Sequence, residues 1–536
     1  MPRGLFVAAA MSVCTFTAFA GGPTTGLIPL NDLGAGTYQG FQGGLYPGGV
    51  NSPPPAHLQA AMARSQLILP RNAQGQVDFV GGVIVMIAFG MSNTTHEFAV
   101  FERDQDVNTG RNPRLVILDT AFGGQTAAVL ADPNAPYWTN VNQRIAAMGF
   151  TPAQVQVGWL KEVDANPPDN FPLHAQLLRD ELELVCNNIH DKFPNLRLCY
   201  LSSRIYGGYS VGTLNPEPQA YESGFSVKWL IEDQINGDPG LNYDENAGPV
   251  ESPLLLWGPY LWADGINPRS DGLTWVQSDF ENDGVHPAPG AEQKVADMLS
   301  AFFAQHPTAQ AWFRYRPGFM LRNVAASEDA YVRANQPNGN FGAEPVLRAQ
   351  GGTMPATTYL KFDATAVVPA AFLAKLSLRN STSGSGGGNT HAAIDTSWTE
   401  LGLTFSNAPA FGGILAAHPQ SSRDGTYAAN VTASCNADAD RILTYVIAMQ
   451  AGQQVEFTSR EANQPPRLIV TVRTPPTAGD LDGDCDVDST DLNILLTDFG
   501  CASPPSADCI GDVDYDFDTD SVDLNVLLST FGNACT

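Results

Sequence analysis

Three residues in this chain are of types and spacings that could perform nucleophilic chemistry. Asp283 and His286 stand three apart in Asp283-Gly-Val-His286-Pro287. An acid at that spacing shares a turn with the imidazole and accepts from its inner nitrogen. That fixes the tautomer and leaves the outer nitrogen free to take a proton. Such a pair needs a nucleophile from elsewhere. Residues 80–90, VGGVIVMIAFG, form an apolar run of buried-strand type that ends in Gly90-Met91-Ser92-Asn93. Ser92 therefore falls just past the carboxyl end of a buried strand, where open α/β sheets place their chemistry. Each fragment alone is ambiguous, because Gly-x-Ser-x is often a plain turn and Asp-x-x-His serves as a metal ligand or helix cap. Together they predict Ser92 as nucleophile, His286 as general base and Asp283 as its orienting acid. His96, His174 and His190 have no acid at comparable spacing and read as surface or packing residues.

The elements that must position these residues are legible on either side. Pro289 suits the first turn of a helix over 290–304, and Val295, Met298, Leu299 and Phe302 recur at helical spacing to hold it to a core. Strand-like segments at 79–89, 114–119, 153–160 and 195–202 alternate with helical ones at 139–148 and 173–192. Alternation of that kind predicts a parallel sheet with helices on both faces. Irregular stretches at 206–223 and 236–282 interrupt it, and this region carries Tyr206, Tyr209, Tyr221, Trp229, Tyr243, Trp257, Tyr260, Trp262 and Trp275. These aromatics read either as a platform for sugar rings or as packing anchors. Residues 21–60, rich in Gly and Pro, read as a lead-in that wraps the surface.

The order of these segments resembles the SGNH (GDSL-like) hydrolases, serine esterases with a flavodoxin-like sheet. Gly90-Met91-Ser92-Asn93 is similar to the nucleophile block, with Met91 where an acidic residue is usual, and Asp283-x-x-His286 is similar to the last block. Asp119-Thr-Ala-Phe-Gly-Gly124-Gln-Thr126 resembles the second block, which implies that the Gly124 N–H helps bind an oxyanion. The asparagine of the third block is missing from VQVGWLKEVDANP (155–167). Lys161 or Glu162 falls nearest, and Lys161, a donor, is the expected substitute. The resemblance covers roughly residues 75–315.

From about 320 to 475 short alternating runs such as TYLKFD, AKLSLRN and PRLIVTV, separated by turns and a Gly/Ser loop, predict an all-β sandwich. The segment resembles DNRLRE-type domains through Asp329-Ala-Tyr-Val-Arg333, Asn340-Phe-Gly342, Tyr359-Leu-Lys-Phe362, Trp398-Thr-Glu400, Ser459-Arg-Glu461 and Pro466-Arg467-Leu468. That resemblance implies a polysaccharide-binding module, against which an inert spacer or adhesive stalk remains the alternative.

The tail concentrates the acid. Net charge is −27, and residues 479–536 contain 14 Asp with no Glu, Lys or Arg, so just over half of the imbalance lies there. Nucleic acid and anionic membrane surfaces are thereby disfavoured as partners. Asp480, Asp482, Asp484, Asp486, Asp488 and Asp491 occupy positions one, three, five, seven, nine and twelve of a loop. Asp512, Asp514, Asp516, Asp518, Asp520 and Asp523 repeat the set 32 residues later. Calcium is a hard ion wanting six to eight oxygens, and such loops wrap carboxylates around one site each. Each loop runs into a similar segment, DLNILLTDFG or DLNVLLSTFG. The duplication resembles a type I dockerin, which implies a cohesin-bearing scaffold as partner, with Ser489-Thr490 and Ser521-Val522 at the contact positions. Cys485 and Phe517 replace the usual loop glycine.

Residues 1–20 read as a secretory signal, with Arg3, an apolar run from Leu5 to Phe16 and Ala18-Phe19-Ala20 before the cleavage point. No stretch is long and apolar enough for a membrane helix. Export favours disulfides. Cys485, Cys501, Cys509 and Cys535 are expected to pair within the tail, Cys186 and Cys199 read either as a bridge or as two buried thiols, and Cys435 is left over. The chain is thus expected to hold a signal peptide (1–20), an α/β flavodoxin-like hydrolase domain (21–318), an all-β sandwich (319–475) and a small α calcium-binding dockerin-like domain (478–536). Catalysis should need no cofactor, and calcium should fill two sites in the tail. The expected activity is secreted ester hydrolysis on extracellular polysaccharide. The alternatives are a lipid or small-ester esterase, or a non-catalytic surface protein built on a degenerate hydrolase.

Overall fold

The computed structural model describes residues 22–167, 169–316, 318–367, 370–384, 386–473, 479–482, 486–501, 509–513 and 518–533. The residues read as a signal segment, Cys485, Cys535, Phe517 and four of the tail aspartates (Asp484, Asp508, Asp514, Asp516) lie outside the described residues.

Five parallel strands form the first sheet: β1 (Ile84–Gly90), β2 (Leu115–Leu118), β3 (Val155–Lys161), β4 (Leu198–Leu201) and β5 (Leu254–Trp257). Their spatial order is β2-β1-β3-β4-β5. Every residue of all five is buried, as near-continuous apolar strands between two helical layers must be. The chain moves outward from β1 to β2 and then back to β3, so the strand order reverses beside β1, a crevice where such sheets bind ligands. Around the sheet lie α1 (Ser92–Gln105), α2 (Pro136–Ala147), α3 (Leu173–Lys192), α4 (Gln219–Ile235) and α5 (Pro289–Gln305), with α1 packed on α5 and α3 on α4. Strand β5 emerges from a stretch read as irregular. Its four residues, LLLW, are too short a run for periodicity to identify.

The loop aromatics resolve largely in favour of packing. Tyr206, Tyr221, Trp257, Tyr260, Trp262 and Trp275 are all buried, and Tyr209, Trp229 and Tyr243 pack on the same core. The lead-in also joins it through Leu30, Leu45 and Tyr46, and Thr25 donates to Asp264 through both its N–H (2.6 Å) and its hydroxyl (2.7 Å).

The second unit is antiparallel throughout: β6 (Phe319–Arg333), β7 (Val346–Gln350), β8 (Ala356–Asp363), β9 (Ala371–Arg379), β10 (Gly388–Ala393), β11 (Phe411–His418), β12 (Thr426–Asn430), β13 (Ile442–Ala448), β14 (Gln454–Thr458) and β15 (Arg467–Arg473). The first half of β6 pairs with β15 and its second half with β8, so one strand feeds both layers of a sandwich. Leu360, Phe362, Leu376, Tyr427, Tyr445, Phe457 and Val470 fill the space between. The motif residues of this unit hold it together. Asp329 is fully buried and accepts from the Arg460 N–H at 2.8 Å, while Arg460 pairs with Glu400 at 2.9 Å.

Sandwich and α/β unit are packed on one another. Leu373 and Ala428 of the sandwich belong to the same apolar cluster as the parallel sheet. Buried Lys375 donates to Glu102 at 2.5 Å and Asp106 at 2.8 Å on or beside α1, and Arg379 reaches Glu292 on α5 at 2.8 Å. In the tail, α6 (Ser489–Asp498) and α7 (Ser521–Thr530) share a small core of Leu481, Val487, Leu495, Val513 and Leu527. Cys501 bridges Cys509, whereas Cys186, Cys199 and Cys435 are buried free thiols. A bridge between Cys186 and Cys199 is thereby replaced by the packing alternative, in which a free cysteine acts as a small hydrophobe.

Candidate active site

Ser92 is the first residue of α1, directly after β1. The turn between them depends on Gly90, whose φ of +152° brings its Cα against the Lys161 carbonyl and Thr94, leaving no room for a side chain. On the other side, Gly284 takes φ +67° against the Tyr209 carbonyl, so the Asp283–His286 loop can fold tightly. Asn93 ties the two together by donating to the Val285 carbonyl at 3.0 Å.

The result is a hydrogen-bonded relay. His286 Nε2 lies 2.9 Å from Ser92 Oγ, and His286 Nδ1 lies 2.6 Å from Asp283 Oδ2. The other Asp283 oxygen accepts from the N–H groups of Val285 (2.9 Å) and His286 (3.0 Å). Burial by itself would raise the Asp283 carboxyl. The hydrogen bonds from the His286 ring and from these two N–H groups outweigh it and hold the group below the ordinary carboxylate range. Asp283 is thus a standing negative charge behind the imidazole, which orients the ring and stabilises its protonated form.

Donors for a developing oxyanion lie beside Ser92. Its own N–H is at the positive end of the α1 dipole. Gly124 follows β2 with φ +78°. Among the described residues no hydrogen bond engages either N–H. The loop carrying Gly124 is fixed by the Phe122 N–H donating to the Gly90 carbonyl at 2.9 Å and by Asp119, which accepts from Thr95 of α1.

Lys161 does something other than expected. Its ammonium is buried and donates to both carboxylate oxygens of Glu97, so it is committed to an ion pair behind the nucleophile helix rather than to an oxyanion. Burial lowers its pKa to about 8 in spite of that partner. The alternative residue, Glu162, is also buried, with one oxygen accepting from the Val163 N–H at 2.8 Å, and burial pushes its carboxyl well up.

Two histidines differ from their sequence reading as residues without acid partners. His174 is buried, with Nε2 2.7 Å from Glu222. His96 lies one helical turn after Ser92, its ring centroid 5.4 Å from that of His286, and its Nδ1 is 3.5 Å from Glu292 and 3.8 Å from Asp424. The four-residue spacing from Ser92 was the available signal for His96, since it places both on one face of a helix.

The site also has a wall that the domain boundaries concealed. Residues 419–425, between β11 and β12 of the sandwich, lie against the loops that carry Gly124 and His286. The Gly123 N–H donates to Ser422 Oγ at 2.7 Å, and Asn140 and Arg144 donate to the Gln420 carbonyl at 3.0 and 3.2 Å. Arg423 pairs with Glu281, whose N–H donates to the His286 carbonyl at 2.9 Å.

Residues 321–472 match the family model described as carbohydrate-binding module family 96. A carbohydrate-binding module therefore makes up the sandwich. Among solved structures, this chain is similar to a putative acylhydrolase from Bacteroides fragilis, at 10% identity over 48% of this chain and 98% of that one, with a TM-score of 0.26. It is similar to an extracellular lipase from Streptomyces rimosus at 12% identity, covering 41% of this chain and 100% of that one, with a TM-score of 0.20. The periplasmic domain of a lipopolysaccharide acetyltransferase from Salmonella ser. Paratyphi A aligns at 13% identity over 46% of this chain and 94% of that one, with a TM-score of 0.24. The comparison with curated proteins finds no match.

In the tail, Asp491 and Asp523 are fully buried and bonded alike. Asp491 accepts from the N–H groups of Leu481, Asp482 and Asp488, and Asp523 from those of Val513 and Asp520. Asp488 and Asp520 cap α6 and α7 through the Thr490 and Val522 N–H groups, each at 2.6 Å. Carboxylate oxygens of Asp480, Asp482 and Asp491, and of Asp486, Asp488 and Asp491, lie within 4.8 Å of one another. Like charges so close fit a hard cation held among oxygens. Asp512 and Asp518 occupy the matching positions of the second loop.

Proposed function

We propose that this chain is an exported serine ester hydrolase that removes acyl groups, such as acetyl, from a polysaccharide, and that its tail is a calcium-dependent docking domain. The observation that carries the activity is the relay Ser92–His286–Asp283 at the carboxyl edge of a parallel sheet, beside two N–H groups unengaged among the described residues. In the reaction, Ser92 Oγ attacks the ester carbonyl as its proton passes to His286 Nε2, and the Ser92 and Gly124 N–H groups receive the negative oxygen. Collapse of the tetrahedral species breaks the bond to the sugar oxygen, which takes the proton from His286. Water then repeats the sequence, delivering a proton to His286 and releasing the acid and free Ser92. Asp283 stays ionised throughout.

The carbohydrate-binding module at 321–472 supports a glycan as the carrier of the ester. A fluorophosphonate should label the wild type and not Ser92→Ala. Acetate release from acetylated xylan or pectin should fall at least about 10⁴-fold in Ser92→Ala and in His286→Ala. Equal labelling of wild type and Ser92→Ala, or none of either, rejects the reading.

For the tail, Asp480, Asp482, Asp486, Asp488 and Asp491, with Asp484, would hold one calcium, and Asp512, Asp514, Asp516, Asp518, Asp520 and Asp523 a second. The ion would supply the charge balance that lets these loops close. Exposed apolar residues recur at the same interval on the two helical segments, Leu496 with Leu528 and Phe499 with Phe531, and this duplicated surface suits a cohesin-type partner. Calorimetry should find about two calcium equivalents. No heat above background rejects the docking-domain reading.

A further inference from the structure

We propose that Ser422, on a loop of the carbohydrate-binding sandwich, is an oxyanion donor of the hydrolase, so that the catalytic centre is built from two folds. The inference rests on the ester-hydrolase reading above and adds a residue to that site.

The argument begins with Gly123. Its N–H donates to Ser422 Oγ at 2.7 Å. A Cβ placed on the same residue would lie 3.3 Å from Ser422 Oγ and 3.7 Å from Ser92 Cβ. The nucleophile and the sandwich hydroxyl therefore converge on one Cα, next to the Gly124 N–H. A serine hydroxyl has one proton to donate and two lone pairs. Here a lone pair is taken by Gly123, and among the described residues nothing accepts the proton. Accepting a hydrogen bond also polarises the hydroxyl and makes it a better donor.

Fixed placement matters as much as proximity, because a donor stabilises a transition state only if it need not reorganise during the reaction. Ser422 is largely buried, and its loop is held from every side. Its carbonyl accepts from Asn380 Nδ2 at 3.2 Å and from the Gly425 N–H at 3.3 Å. Asn140 and Arg144 hold the Gln420 carbonyl, and Asp424 is 3.3 Å from Arg379. Arg423 locks onto Glu281 of the catalytic loop.

The rival reading of the same contact is a plug, in which the hydroxyl occupies the place of the substrate oxygen. The two predict opposite signs. In the full-length protein, Ser422→Ala should lower kcat by about 10²-fold on acetylated xylan while KM changes little. A trifluoromethyl ketone, whose adduct carries an oxyanion, should bind more weakly by a similar factor. Ser422→Thr, which keeps the hydroxyl, should recover most of both losses. Prolonged fluorophosphonate treatment should still label Ser92 to completion in Ser422→Ala, and its thermal midpoint should match wild type. A kcat within about threefold of wild type, or one above it, overturns the proposal and leaves the nucleophile intact. So does an equal loss in Ser422→Thr. Failure of the wild type itself to label removes the hydrolase reading and this inference with it.

Discussion

At the scale of single residues, the chain separates groups that react from groups that only look reactive. Lys161 illustrates the difference. It has the donor chemistry an oxyanion needs and stands at the end of β3, level with Gly90, yet its ammonium is buried against Glu97. Removing one partner of a buried pair strands the other charge, at a cost of roughly 3–5 kcal/mol, whereas removing both for apolar groups is often close to neutral. Lys161→Met should therefore destabilise the protein strongly in denaturant titration, and Lys161→Met/Glu97→Leu should regain most of the loss. A Lys161→Met protein with wild-type stability and lost turnover would return the lysine to the catalytic machinery. The relay of Ser92, His286 and Asp283 was legible because Asp-x-x-His and a serine after an apolar run encode their geometry locally. Ser422 was not legible, because it is brought to Gly123, beside Ser92, only by the packing of one unit on another, which no local spacing records.

Among elements, the loop 419–425 is the one whose state matters most, and His418 at the end of β11 controls its first peptide. The His418 ring is stacked on Tyr427 at 4.4 Å between centroids, and its Nδ1 is 3.0 Å from the Pro419 carbonyl. Burial, reinforced by nearby Arg144, pushes its pKa down to about 3. The folded protein therefore keeps this ring neutral, while the unfolded chain takes up a proton below its ordinary value of 6.5. Between those limits the unfolded state binds more protons, so stability is full above about pH 6.5 and declines as pH falls towards about 3. His418→Phe preserves the stacking and removes the titration. The stability of wild type relative to this variant should fall between about pH 7 and about pH 4.5 in chemical denaturation, and an unchanged difference would show that His418 does not carry the effect. The sequence revealed the strands of this unit through their alternation. It could not reveal that one loop between them reaches Gly123 beside Ser92, since serines such as Ser421 and Ser422 are common in any turn.

For the molecule as a whole, the decisive fact is which units are joined and which are separable. Lys375 crosses from the sandwich into the α/β unit, where it is buried between Glu102 and Asp106. Lys375, with Arg111 3.9 Å from Asp106, balances the two carboxylates, and the two units share one apolar cluster through Leu373 and Ala428. They should consequently unfold in one calorimetric transition. Lys375→Met leaves Arg111, 3.9 Å from Asp106, as the remaining cation beside the two buried acids, and Glu102, already raised to about 7 by burial, is pushed further up. The variant should lose roughly 3–5 kcal/mol and split the transition in two. The tail behaves differently, since its core of Leu481, Val487, Leu495, Val513 and Leu527 is small and its loops gather like charges. If calcium fills these loops as proposed, chelation should abolish a separate tail transition. Ester hydrolysis should be unaffected by the same chelator, because every group assigned to the reaction lies between Ser92 and Ser422 and none is a metal ligand. Loss of both the tail transition and turnover on adding chelator would place a cation in the catalytic centre. Retention of both would leave the twelve aspartates of the tail without the role assigned to them.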